Sequence, residues 1–128
     1  MTAKLGVKTC HSVTLVAAPR GFRRTLGRLP PGAKLVSRLE RQSPFVIAFT
    51  MSSQQLDRDF VLWKNALAAD GVLWVCWPKR ASGVTTDVDE NVVRKVCLER
   101  GLVDVKVCAI DKTWSGLKCV YRLKDRAH

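Results

Sequence analysis

The stretch from Gly71 to Gly83, GVLWVCWPKRASG, constrains the fold more than any other part of the chain. Every residue from Val72 to Trp77 is apolar, which is typical of a strand buried on both faces of a parallel sheet. Pro78 lacks the N–H group that a sheet ladder requires, so the strand is predicted to end there. The small and basic residues from Lys79 to Gly83 then predict a flexible loop.

Strands and helices are predicted to alternate along the rest of the sequence. Runs of apolar and β-branched residues, together with alternating patterns near the end, predict strands at residues 12–18, 33–37, 44–50, 72–77, 103–110 and 117–123. Helical spacing of apolar residues predicts helices at residues 22–29, at residues 53–69 and from residue 86 or 87 to residue 100. Ser52 and Gln55 form a capping box before the second helix, and Thr86 or Asp87 is expected to cap the third.

This alternation predicts an α/β fold, a three-layer Rossmann-like sheet that is mostly parallel, has about six strands and ends in a C-terminal antiparallel hairpin. The connection from Ser37 to Pro44 spans roughly 23 Å when extended, which is too short for a helix but reaches a non-adjacent position in the sheet. With strands numbered along the chain, we predict the order 2-1-3-4-6-5. We expect one domain over residues 1–128, with residues 1–11 as a loose leader.

Basic residues are concentrated in the first third of the chain. The protein has 22 Lys and Arg residues against 11 Asp and Glu residues, a formal charge of +11. Through Gln42 there are nine basic residues, and Glu40 is the only acidic one. Such an excess indicates an anionic partner such as nucleic acid or phosphate, or else only a solvated surface.

Several classes of site are not predicted. The five cysteines are widely spaced without a CxxC pair, which is neither a disulfide framework nor a zinc signature, and no metal site is expected. The two histidines are His11 and His128, and no GxSxG, HExxH or GK[ST] motif accompanies them, so no catalytic residue is assigned. No apolar run approaches the ~20 residues of a membrane span. We therefore expect a cytoplasmic protein without membrane association.

The loops that follow the strands are predicted to form a binding site, because open α/β sheets bind ligands at the carboxyl ends of their strands. The candidate residues on these loops are Arg20, Thr50, Ser52, Lys79, Arg80, Ser82, Asp111 and Trp114. Cations and hydroxyl groups suit an anion, although α/β domains without ligands also have polar loops here. We take Lys79 as the principal group, because no acidic residue occurs between Asp70 and Asp87. Trp114 has a second interpretation, in which it packs against the sheet.

Three strings resemble a family of small bacterial proteins of unknown function. They are LWVCWPKRASG at Leu73 to Gly83, GLVDVKVCAIDKTWSGLKCVYR at Gly101 to Arg122 and APRGFRRTLGRLP at Ala18 to Pro30. The resemblance spans almost the whole chain. It implies a small Rossmann-like domain and no established activity.

The layout of strand, long helix, short turn and apolar strand is also similar to the second half of the S-adenosylmethionine (SAM)-dependent methyltransferase domain. Such methyltransferases bind the cofactor on a Gly-rich loop after the first strand, and an acidic residue ending the second strand holds the ribose hydroxyls. In this sequence the first loop, residues 18–22, has one glycine, and the second strand ends near Ser37, Arg38 and Leu39. The departure favours a degenerate domain without a cofactor.

We therefore interpret the chain as a non-enzymatic Rossmann-like domain that binds a protein partner or a small anionic ligand, as a monomer or a homodimer. One alternative is a reduced SAM-dependent methyltransferase that uses Asp111 or a loop hydroxyl. The other is nucleic-acid binding through the basic first third. The basic residues concerned are Arg20, Arg23, Arg24, Arg28, Lys34, Arg38 and Arg41.

Replacing Lys79 and Arg80 together by alanine is expected to leave the melting temperature within a few degrees, because exposed substitutions change stability by roughly ±0.5 kcal/mol. The double variant is expected to lose whatever ligand or partner the wild-type protein retains in a pull-down, because both cations leave the loop. Circular dichroism melting measures the first effect. An unfolded double variant, or one that keeps every partner, would show that the loop belongs to the scaffold.

Overall fold

One six-stranded sheet organises the protein, as seen in a computed structural model that describes residues 1–125. Its strands are β1 (Ser12–Val16), β2 (Lys34–Val36), β3 (Ser43–Phe49), β4 (Leu67–Pro78), β5 (Leu102–Ala109) and β6 (Trp114–Tyr121). They lie in the order β2-β1-β3-β4-β6-β5. The predicted order is therefore confirmed.

The helices are α1 (Thr2–Leu5), α2 (Phe22–Leu26), α3 (Ser53–Ala66) and α4 (Glu90–Glu99), with 3₁₀ turns at Arg80–Ser82 and Leu123–Asp125. Helices α1 and α2 pack on one face of the sheet, and α3 and α4 pack on the other. The predicted three-layer α/β class is confirmed. Among residues 1–125, no helix combines the length and the apolar character needed to cross a membrane.

Strand direction brings most of the loops to one edge of the sheet. Strands β1 to β4 pair in parallel, whereas β6 is antiparallel to both β4 and β5. The β5–β6 pair is the predicted hairpin, and its turn lies beside the end of β4, because Pro78 pairs with Trp114. The Lys79 backbone N–H donates to the Thr113 carbonyl at 2.7 Å. The loop after β4 is thus held against the hairpin turn.

Strand β4 supplies side chains to both cores. Trp74 and Cys76 point to the α1 and α2 face, and Leu73 and Val75 point to the α3 and α4 face. All four are 0% exposed. This explains why the strand is apolar at consecutive positions, since an alternating pattern would bury a polar side chain on one face.

The prediction of a loose leader over residues 1–11 is wrong. Helix α1 places Leu5 in the core at 0% exposure, and Val7 is 6% exposed. The indole Nε1 of Trp74 donates to the Leu5 carbonyl at 2.9 Å, and Thr2 Oγ1 donates to the Arg28 carbonyl at 3.0 Å. The segment has no periodicity of its own to reveal this packing, because its partners lie far away along the chain.

The capping box before α3 is confirmed with a small change. The Gln55 N–H donates to Ser52 Oγ at 3.1 Å, while the Gln55 side chain accepts from the Met51 N–H at 3.3 Å. Helix α3 ends at Ala66 instead of residue 69, because Leu67 already pairs with Ser43 in the sheet. The helical pattern thus runs past the point where β4 begins.

Helix α4 begins later than predicted, because Asp89 is its N-cap. The Asp89 side chain accepts from the Val92 N–H at 2.9 Å. Thr86 instead donates to the Met51 carbonyl, and Asp87 accepts from the Ser53 N–H at 2.8 Å. Both residues therefore tie the loop after β4 to the start of α3.

Gly71 lies where β3 and β4 come close together. A Cβ atom at this position would lie 2.8 Å from Leu67 Cδ1, 2.9 Å from the Ser43 carbonyl oxygen and 3.0 Å from the Ala68 carbonyl oxygen. Two of these neighbours are backbone atoms, which cannot yield unless a strand moves. The position therefore requires glycine for space.

Gly71→Ala is expected to lower the free energy of unfolding by about 2–3 kcal/mol through overpacking, measured by urea denaturation. Gly83→Ala is the matched control. Gly83 has a φ of 78°, and a Cβ atom there would meet no other atom within 4 Å. The Gly83→Ala variant is therefore expected to lose only about 1 kcal/mol of stability, the cost of a left-handed backbone conformation for alanine. A Gly71→Ala variant as stable as the wild type would contradict the close approach.

Candidate functional site

The strand order reverses between β1 and β3. The chain leaves β1 for β2 on one side and leaves β3 for β4 on the other side. In open α/β sheets such a reversal leaves a crevice at the carboxyl ends of the strands, where ligands bind. The loop after β1 is therefore the first place to look for a site.

A cleft of about 830 Å³ opens beside the carboxyl ends of β1 and β2, and is called here the β1–β2 cleft. It is lined by Leu15, Ala17, Ala18, Pro19, Arg20, Gly21, Phe22, Arg23, Arg24 and Ser37. Its volume lies within the ~300–1,000 Å³ typical of small-molecule sites. Arg20 is the only one of the predicted site residues in this lining.

The loop of the β1–β2 cleft has an uncommon backbone conformation. Ala17 has a φ of 55° and Gly21 has a φ of 85°, both in the left-handed region. For a residue with a side chain, such as Ala17, this conformation costs of order 1–3 kcal/mol and is found disproportionately at ligand sites. The loop is thus held in its shape by the surrounding structure.

An aromatic cluster supports the cleft from below. The rings of Phe22 and Phe49 are 4.8 Å apart at an interplanar angle of 72°, and the rings of Phe49 and Trp114 are 5.0 Å apart at 89°. Edge-to-face pairs of this kind are favourable beyond the area they bury. Trp114 is 9% exposed, so the structure places this predicted site residue in the core under the loops.

Three predicted hydroxyl residues are engaged within the scaffold. Thr50 is 1% exposed, and its Oγ1 donates to the Ser52 carbonyl at 3.1 Å. Ser52 caps α3, and Ser82 Oγ donates to the Lys79 carbonyl at 2.6 Å. Each of these side chains has a structural partner, and none of the three lines the β1–β2 cleft.

Asp111 shapes the hairpin turn. Its Oδ1 accepts from the backbone N–H groups of Thr113 and Trp114, both at 2.8 Å. Carboxylates at turns hydrogen-bond in this way to the backbone two or three residues later. Asp111 is therefore occupied as an acceptor of the turn that starts β6.

The predicted cations are divided between different surfaces. Arg80 lines a second cleft of about 390 Å³, formed together with Trp77, Pro78 and residues 83–89, while Arg20 lines the β1–β2 cleft. Lys79 is half-buried and lines neither of these clefts. Over residues 1–125, Arg20, Lys79 and Arg80 form no ion pair. A binding role for Lys79 and Arg80 stays a prediction.

Sequence reasoning on the site left out Ala17, Arg23, Arg24 and Ser37. The arginines were considered only as part of a basic segment, and Ser37 only as the residue near which the second strand ends. Their common signal is position, because Ala17 and Ser37 directly follow β1 and β2, and Arg23 and Arg24 lie in α2, the first helix after β1. That signal becomes decisive only when the cleft between the two loops is known.

Two titratable groups near this edge have structural roles. Burial raises the pKa of the Cys76 thiol well above its usual value, so the thiol stays protonated in the core. Hydrogen bonds from the Ser53 hydroxyl and N–H hold the pKa of the Asp87 carboxyl below its usual value. In the part of the chain that is described, no group of His, Cys, Asp and Glu side chains is arranged to hold a metal ion.

Solved methyltransferase structures share this fold at low sequence identity. A SAM-dependent methyltransferase from Aquifex aeolicus is 11% identical, with a TM-score of 0.59, over 91% of this chain and 85% of that one. Magnesium protoporphyrin IX methyltransferase from Synechocystis PCC 6803, solved with bound SAH, is 9% identical and has a TM-score of 0.61. The match covers 94% of this chain and 78% of that one. A protein from Sulfolobus solfataricus, assigned to the type 11 methyltransferases, is 11% identical and has a TM-score of 0.60. The match covers 100% of this chain and 93% of that one. No family model and no curated protein matches the chain.

These structures overturn the interpretation of the chain as a non-enzymatic domain for a protein partner or small anion. The neighbours are methyltransferases, one described as SAM-dependent and one solved with bound SAH, so the alternative of a reduced methyltransferase-like domain fits better. TM-scores of 0.59–0.61 show a common fold, and identities of 9–11% do not carry over a reaction. The resemblance to small bacterial proteins of unknown function rests on the sequence strings alone.

Asp111→Ala is expected to lower the free energy of unfolding by about 1–2 kcal/mol, because two backbone N–H groups of the turn lose their acceptor. Asp111→Asn keeps an acceptor oxygen and is expected to stay within about 0.5 kcal/mol of the wild type. Urea denaturation of both variants measures the difference. If the asparagine variant is as unstable as the alanine variant, the role of Asp111 is not that of a turn acceptor.

Proposed function

We propose that the protein is a reduced SAM-dependent methyltransferase that holds the methyl donor in the β1–β2 cleft. The observation that carries the proposal is a cleft of about 830 Å³ at the carboxyl ends of β1 and β2, in a fold shared with methyltransferases. The position agrees with the general rule for ligands of open α/β sheets. The volume is sufficient for a nucleoside with an amino-acid tail.

The residues of the cleft fit such a donor. The guanidinium groups of Arg20, Arg23 and Arg24 suit the carboxylate of the amino-acid tail, because guanidinium and carboxylate form paired, charge-assisted hydrogen bonds. The Ser37 hydroxyl, at the end of β2, is an acceptor for a ribose hydroxyl. It replaces the acidic residue of the methyltransferases that the sequence resembles. A neutral acceptor forms a weaker hydrogen bond than a carboxylate, so we expect modest affinity.

The bound donor supplies a methyl group: the acceptor's lone pair bonds to the methyl carbon, the carbon–sulfur bond breaks with its electrons going to sulfur, and the acceptor's proton goes to water. The chain's own contribution is electrostatic. The lining holds three arginines and no carboxylate, so it disfavours a positively charged sulfonium relative to a neutral thioether. We therefore expect the product, S-adenosylhomocysteine, to bind more tightly than SAM.

Ser37→Asp is expected to tighten the binding of both compounds by roughly tenfold, because a carboxylate accepts hydrogen bonds from the ribose hydroxyls more strongly and offsets the cleft arginines. Isothermal titration calorimetry of the wild type and the variant measures the change. Ser82→Asp, which adds the same charge in the loop after β4, is the matched control and should leave affinity unchanged.

The proposal fails if neither compound binds to the wild type or to Ser37→Asp at millimolar concentration. It also fails if Ser82→Asp improves binding as much as Ser37→Asp does, since the donor would then lie at the loop after β4.

A further inference from the structure

We propose that the exposed basic surface next to the β1–β2 cleft docks a single-stranded nucleic acid. We call this surface the basic band, and it consists of Arg20, Arg23, Arg24, Arg28, Lys34 and Arg38. Under the proposed function the docked strand is the methyl acceptor, and in that respect the inference rests on that function. Docking itself requires no donor, so the two can fail separately.

The basic band is a surface of uncompensated charge. All six side chains are exposed, and none takes part in an ion pair with another residue of the described chain. The five ion pairs found there lie on or directly after α3, α4 and β5. The ion-paired carboxylates thus lie outside the band, and Glu40 is the one acidic residue among the first 42 residues. Such segregation attracts polyanions from a distance.

The band has an extended shape. Arg20, Arg23 and Arg24 line the cleft, and Arg28 follows α2. Lys34 is the first residue of the outermost strand, β2, and Arg38 lies just after that strand. At about 3.3 Å per residue, β2 itself spans roughly 7 Å, and the chain bends at Ser37 and Arg38 directly after it. A band that runs from β2 past the cleft to the residues after α2 is larger than a single phosphate group and suits a strand that carries successive phosphates. The band ends at the mouth of the cleft, where an unstacked base can approach a donor held inside.

A nucleic acid explains the chemistry of the band better than a membrane does. Five of its six cations are arginines, whose planar guanidinium groups pair with phosphate in two parallel hydrogen bonds. Membrane-surface segments add large exposed apolar residues to their basic face. The large exposed apolar residues of the described chain all lie from Met51 onward, outside the band. A single strand is favoured over a duplex, because a base must leave its stack to enter a cleft.

The test measures fluorescence anisotropy of a labelled, mixed-sequence single strand of about 16 nucleotides, without SAM. Between about 50 and 200 mM salt, the logarithm of the affinity should fall linearly with the logarithm of the salt concentration, with a slope of about −0.7 for each phosphate neutralised. With Arg23→Gln and Arg24→Gln combined, the slope should become shallower by about 1.4, and the affinity at low salt should fall at least tenfold.

Arg58→Gln with Lys95→Gln is the matched control, since it removes the same charge from α3 and α4. It should leave the slope unchanged. The inference is overturned if the strand does not bind at about 50 mM salt, or if both double variants lose affinity equally. It is also overturned if the protein binds phosphatidylserine vesicles and not the strand. Strand binding by a protein that binds neither SAM nor S-adenosylhomocysteine supports the docking surface and refutes the proposed function.

Discussion

Burial of β4 on both faces is the constraint on which the other elements depend. Trp74 and Leu73 are both fully buried, although they point to opposite cores, so a helical layer must cover each face of the sheet. Helices α3 and α4 cover one face. The short α1 and α2 cover the other, where the Trp74 indole holds the Leu5 carbonyl. The three layers follow from one strand that has no polar side.

The same arrangement determines where chemistry can occur. With the helices committed to the two faces, the exposed concave surface lies at the carboxyl edge of the sheet. The aromatic contacts of Phe22, Phe49 and Trp114 support the loops there from beneath. Stability and the candidate site are therefore linked through the aromatic cluster, because the first helical residue after the cleft loop, Phe22, is also part of the core.

The sequence was sufficient for what local patterns encode, including the apolar run of β4, the Ser52 capping box and the strand order. It was insufficient where contacts with residues far away along the chain determine whether a helix forms or where it begins. Helix α1 depends on Trp74, and the start of α4 depends on Asp89 because Thr86 and Asp87 have partners near α3. The site prediction places its candidates at the carboxyl edge of the sheet, where the β1–β2 cleft also lies. It names Lys79, and not the arginines after β1, as the principal group. A cleft between two loops cannot be predicted from the sequence pattern of either loop alone.

Amide chemical-shift mapping during titration with S-adenosylhomocysteine tests the central claim most directly, because it reports where the compound binds as well as whether it binds. The account predicts that the largest shift changes occur at residues 17–24 and at Ser37, the lining of the β1–β2 cleft. Changes confined to residues 77–89, or no changes at millimolar concentration, would contradict it.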